Sequence, residues 1–269
     1  MSNIYYLNSR NEKVDFVEDL PLLDIDDFFG SEFSSITDNN MITSFSRGIK
    51  NYSIEGDVFA NTFDRITEIF DYDIYQNVRG RFYIGEYFIY CNIIASKPSD
   101  INIHRIKFKT ALTFTTDKSY WLKETKYVFE KFEESTAGLT YPFTYPFTYG
   151  SSQGIRSITN DSLKESDFIM IIYGPVSNPT VSIGNNIYVV NTDVTSHEYL
   201  VIDSRERKTY KVNNVGEHEN MFANRGLTNS IFTKIKTGLS DVSWSGAFGF
   251  DLYVYDERSK PKWISSVQQ

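Results

Sequence analysis

The sequence predicts a mainly β protein built from two bodies. The first is sheet-rich, with one packed α-helix and a β-hairpin; the second is an antiparallel sandwich or jelly-roll. Three observations predict this. Short apolar runs, several alternating with period two, recur along the 269 residues between Gly, Pro, Asn and Asp turn signals. The chain holds 21 Phe and 19 Tyr, residue types that favour strands. Only one helical stripe is visible, and it lies in the first half.

The two bodies are expected to meet at residues 139–150, which read Leu-Thr-Tyr-Pro-Phe-Thr-Tyr-Pro-Phe-Thr-Tyr-Gly. Tyr141–Thr144 is repeated without a break as Tyr145–Thr148. Pro142 and Pro146 fix φ near −65°, remove two backbone donors and push the residues before them toward extended conformations. Neither a helix nor a central strand tolerates this. A solvated linker seldom carries five aromatic side chains, so the stretch reads as a stiff connector lying against a surface. The expected organisation is an N-terminal domain over 1–138, the connector over 139–150 and a C-terminal domain over 151–269.

Composition narrows the function. A net charge of −8 opposes a surface built to grip nucleic-acid phosphates. The single cysteine, Cys91, excludes an internal disulfide and any Cys-based metal site, and its apolar setting in Tyr87–Ile94 marks a small buried hydrophobe. Met1–Leu7 lacks the basic and apolar regions of a signal peptide, and no apolar run approaches the ~20 residues that span a bilayer. A soluble chain made in a reducing compartment, without membrane insertion, is the expectation.

In chain order, Ile4–Leu7 and Val14–Val17 predict an opening hairpin. Leu20–Phe33 mixes apolar residues with Asp24, Asp26 and Asp27; without EF-hand spacing the aspartates read as a solvated loop rather than calcium ligands. Ile42–Phe45 and Ile49–Ile54 are short strands about Arg47-Gly48. Phe59, Phe63, Ile66, Phe70 and Ile74 form one apolar stripe, which predicts a helix capped by Asp57 and packed on the core. Gly80–Ile84 and Tyr87–Ser96 predict a hairpin about Gly85-Glu86. His104–Thr115 alternates strictly, with Ile106, Phe108, Thr110, Leu112 and Phe114 on one face.

Beyond the connector, residues 150–160 read as a polar loop. Strands are expected at Phe168–Tyr173, on either side of Gly184-Asn185-Asn186, at Tyr199–Asp203, Thr209–Val212, Ile231–Ile235, Val242–Trp244 and Phe248–Tyr255. No comparable helix is visible there.

Candidate chemistry is thin. Gly150-Ser151-Ser152-Gln153-Gly154 matches the nucleophile elbow in letters, but prolines precede it and no amphipathic helix follows, so it reads as a flexible loop. His197-Glu198 and His218-Glu219 do not extend to a zinc-protease motif, and His104 reads as an ordinary exposed residue. No phosphate-binding glycine loop is present, and no carboxylate pair stands out for glycoside hydrolysis. No catalytic, cofactor-binding or metal residue is assigned, and no cofactor is expected. The abundant aromatics instead suggest a binding or assembly protein, since Tyr and Trp are enriched where proteins meet. The alternative is a carbohydrate-binding module that recognises a host cell surface, with Trp244 as the aromatic to test.

Several segments together resemble the distal tail proteins of long-tailed bacteriophages, in particular those of Gram-positive hosts. Gly80–Phe88 resembles the family's central hairpin. Arg105–Phe114 followed by Thr116–Trp121 is similar to its long strand and Asp…Tyr-Trp turn, and the doubled Tyr-Pro-Phe-Thr to its interdomain segment. Gly174-Pro175, Asn178-Pro179 and Tyr199–Ser204 match the entry to the C-terminal domain. The sharpest match is Val242–Asp251, followed by Tyr255–Trp263. Met1–Asp57 carries no sharp motif, and Lys236 stands where the family pattern has proline.

The resemblance implies an N-terminal β-sandwich with a helix, six copies of which close a ring at the distal end of the tail tube. It implies a galectin-like C-terminal β-sandwich outside the ring. The implied partners are the tail tube protein, the tail-associated tip protein and receptor-binding or baseplate proteins, and the implied location is the virion. No enzymatic activity is implied, and a galectin-like fold does not itself imply sugar binding.

Overall fold

The structure is a computed structural model that describes residues 4–20, 22–39, 41–99, 101, 106–132 and 156–262. The connector over 139–150, the Gly150–Gly154 motif and His104 lie outside the described residues. The chain divides into two compact units, one formed by Met1–Lys123 with Glu257–Gln269 and the other by Glu124–Asp256. The division falls at 123/124 and again at 256/257, whereas the boundary expected from the sequence is at 138/139.

The first unit begins with β1 (Ile4–Leu7), β2 (Lys13–Asp15) and β3 (Leu22–Asp24). A free-standing pair follows, β4 (Ser34–Asp38) and β5 (Met41–Ser46). Then come β6 (Lys50–Phe59), α1 (Ala60–Tyr75), β7 (Gly80–Ile84), β8 (Tyr87–Ser99), β9 (Lys107–Thr116) and β10 (Trp121–Phe129). One sheet runs β2-β1-β7-β8-β10, and β9 joins β8 to β6, which also pairs β3. The 13-residue β8 serves both arrangements: Tyr87–Cys91 pairs β7, and Asn92–Ser99 pairs β9, with a register shift between Ile93 and Ala95. A bulge of this kind bends a strand and increases its twist. The core formed is dense in aromatic rings, with Tyr6, Phe16, Phe28, Tyr52, Phe82, Phe114 and Trp121 all buried.

Helix α1 departs from its expected cap. Asp57 lies inside β6, where its carboxylate meets Lys107 Nζ at 3.0 Å. Phe59 occupies the N-cap position without a side-chain bond, and the Ala60 N–H donates instead to the Ile106 carbonyl at 2.8 Å. A carbonyl from another segment thereby does the work that a capping side chain does elsewhere. The stripe is also narrower at its ends. Ile66, Ile69, Phe70 and Asp73 are buried and Phe63 packs against the core, whereas Phe59 and Ile74 are exposed.

Leu20–Phe33 is not a solvated loop throughout. A 3-10 turn over Asp26–Phe29 drives Phe28 into the core, where its ring stacks on Tyr52 at 4.5 Å and on Phe82 at 4.4 Å. The long alternating strand is present as β9, with Thr110, Leu112, Phe114 and Thr116 buried, but Ile106 precedes it and is exposed.

The second unit takes β10 from Glu124 onward and adds β11 (Arg156–Asn160), β12 (Asp167–Tyr173), β13 (Val176–Ser177), β14 (Thr180–Ile183), β15 (Asn186–Val189) and β16 (Asp193–Val194). It continues with β17 (Tyr199–Asp203), β18 (Lys208–Val212), β19 (His218–Asn220), β20 (Gly238–Trp244) and β21 (Phe250–Arg258). Its larger sheet runs β19-β18-β17-β12-β21-β10, antiparallel from β19 to β21, and its smaller one β11-β20-β14-β15, antiparallel throughout. Phe168, Met170, Ile172, Leu252 and Val254 from the larger sheet join Ile158, Val181, Ile183 and Val242 from the smaller in one core.

Two expectations fail here for a shared reason. Residues 156–160, read as loop, form β11, and Ile231–Ile235, read as strand, is not one. Asn160, buried at the end of β11, donates from Nδ2 to the carbonyls of Ile235 (3.0 Å) and Lys236 (3.2 Å). Ser166 and Ile235 exchange both backbone bonds at 2.9 Å. Side-chain amide and bridge together satisfy backbone that a ladder would otherwise serve, so Ile231 and Ile235 are buried outside any strand.

Candidate interaction surfaces

The two His-Glu pairs singled out in the sequence lie on either side of Lys211, whose Nζ is 3.8 Å from Glu198 and 3.3 Å from Glu219. His197 sits in a turn at φ +70, beside Glu198, whose carboxylate accepts from the Thr195 N–H at 2.9 Å and lies 3.8 Å from Lys211 Nζ. His218 is on β19 with its ring stacked on Tyr210 at 4.7 Å. Among the described residues no group of three His, Cys, Asp or Glu side chains is placed to hold a metal ion. Cys91 is buried, and desolvation raises its thiol pKa, which suppresses the thiolate. Asp27 accepts from the Ser53 N–H at 3.2 Å, a structural use of one of the three aspartates. No described helix is long and apolar enough to cross a membrane.

One charged cluster is well built. The nearly buried Asp251 on β21 accepts from Lys126 Nζ at 2.8 Å and from Tyr173 Oη at 2.9 Å. The bond to Asp251 raises the Lys126 pKa, and burial with the same carboxylate pushes Tyr173 up to about 12. Lys126 and Tyr173 thus both keep their protons at neutral pH. The cluster fastens β10 and β12 to β21.

A shallow groove of about 450 Å³ lies on the second unit beside β14 and β20. Ser177, Thr180, Ser182 and Ser243 line its polar side, and Trp244 and Phe248 its apolar end. Trp244 is only 8% exposed. Its Nε1 donates to the Phe248 carbonyl at 2.9 Å, and its ring stacks on Phe132 at 4.9 Å and meets Phe129 and Phe250 edge-on. A ring used on these sides closes the core and leaves little face for a sugar.

The first unit displays apolar side chains instead. Every residue of β4 and β5 is exposed, and among the described residues the pair joins no other strand. Ile36, Met41, Ile42 and Phe45 project from it, with Met41 69% and Phe45 67% exposed. Its root is fixed: the Arg47 guanidinium lies 4.5 Å over the Phe33 ring and donates to the Ser119 carbonyl at 3.3 Å. A two-stranded hairpin alone is marginal in water, and contiguous exposed apolar side chains are a common feature of surfaces that meet protein. The signal was already in the sequence as Ile42–Phe45 and Ile49, where it read as ordinary strand material.

No protein-family model matches the chain. No curated protein matches it either. Solved structures do. The chain is similar to the Dit protein of phage SPP1, described as a paradigm of the hub adsorption apparatus in phages infecting Gram-positive bacteria, with 8% identity and a TM-score of 0.57 over 96% of this chain and 99% of that one. It is also similar to chains of the phage P2 baseplate in its activated conformation, solved with Ca and with Sr, at 10% and 11% identity and TM-scores of 0.61 and 0.63, each over 97% of this chain and 99% of the other. At these identities the likeness establishes the fold: along nearly its whole length the chain has the fold of phage hub and baseplate proteins, the group its motifs resemble.

Proposed function

We propose that the protein is the structural hub of a phage tail tip or baseplate, joining the distal end of the tail tube to the host-adsorption apparatus. The observation that carries this reading is the fold match to hub and baseplate proteins over 96–97% of the chain. The ordered sequence motifs, from Gly80–Phe88 to Val242–Asp251, support it from a separate direction. In this reading six copies close a ring through the N-terminal domain, and the galectin-like C-terminal domain lies outside it. The connector over 139–150 sets the spacing between the two. Its partners are the tail tube protein, the tail-associated tip protein and receptor-binding or baseplate proteins. The reading includes no catalytic step and no cofactor.

The test is location and mass. A tagged chain should be found at the distal end of purified tails by gold labelling and negative stain, and the particle should hold it in multiples of six. A stable monomer in every condition, together with absence from purified particles, would sink the hub reading.

A further inference from the structure

We draw no further inference here: the strongest candidate, the exposed apolar patch of Ile36, Met41, Ile42 and Phe45 on the β4–β5 hairpin of the first unit, carries nothing because nothing among the described residues shows what covers it.

Discussion

Tyr6 Oη donates a 2.6 Å hydrogen bond to Asp73 Oδ2, and both residues are sealed from solvent. The other carboxylate oxygen accepts from the Ser9 N–H at 2.9 Å and the Ser9 hydroxyl at 2.7 Å. A carboxylate on the last turn of α1 therefore holds β1 and the turn that follows it. Gly80 belongs to the same contact, since a Cβ there would collide with the Tyr6 phenol.

Removing either partner leaves the other buried and under-bonded. Tyr6→Phe should cost about 1–3 kcal/mol of unfolding free energy. Asp73→Ala removes an acceptor from three donors and should cost more, on the order of 3 kcal/mol. Urea denaturation of both variants checks this. A Tyr6→Phe variant as stable as wild type would show that the bond contributes nothing net.

Alkaline stability should be limited by phenols. Burial is the main cause that pushes Tyr52, Tyr173 and Tyr188 up to about 12 from the ordinary value of 10.0, and it raises Tyr6 as well. A folded-state pKa above the unfolded one means that the native state holds protons the unfolded chain releases. Stability is then fully present below pH 10 and falls as pH rises from 10 to 12. Ultraviolet titration should show these tyrosines ionising late and together with unfolding. Reversible ionisation of all 19 tyrosines near pH 10 in a folded protein would contradict it.

Much of the architecture was legible because period two and turn chemistry are local. The β7–β8 hairpin with Gly85 at φ +60, the β14–β15 turn and the β17–β18 pair stand where alternation and Gly or Asn signals place them. What was hidden depends on distant partners. Asp57 looks like a cap until Lys107 claims it, and the true cap is a carbonyl at Ile106. Phe28 lies among aspartates, and only the fold shows that its neighbours are Tyr52, Phe82 and Trp121. The exposure of β4 and β5 was hidden because exposed and buried strands carry the same Ile and Phe; sequence gives their face but not whether another layer covers it.

Phe28 is the third test. It is fully buried, with Phe114 and Trp121 meeting it edge-on at 5.5 and 6.0 Å besides the two stacked rings. Phe28→Ala opens a cavity that rings held by sheet backbone cannot refill, and should cost about 3–5 kcal/mol. Asp26→Ala, on the same turn but exposed, should cost under ~0.5 kcal/mol. Equal small effects at both positions would mean that the 3-10 turn is not a core element.

Trp244 decides between assembly and sugar recognition at the second unit. Its indole fills a site walled by Phe129, Phe132 and Phe250, and Gly246, at φ +75, lies so close to Phe132 that a Cβ would strike the ring. Trp244→Ala should therefore cost about 3–5 kcal/mol, read from the denaturation midpoint. Trp244→Phe keeps most of the packing but leaves the Phe248 carbonyl without its donor, and should cost less. A glycan array probed with wild type and with Trp244→Phe separates this structural role from recognition. The expectation is no specific signal from either protein. Strong wild-type binding to one glycan class, lost in a stably folded Trp244→Phe variant, would instead make the groove beside β14 and β20 a sugar site and restore the carbohydrate-binding alternative.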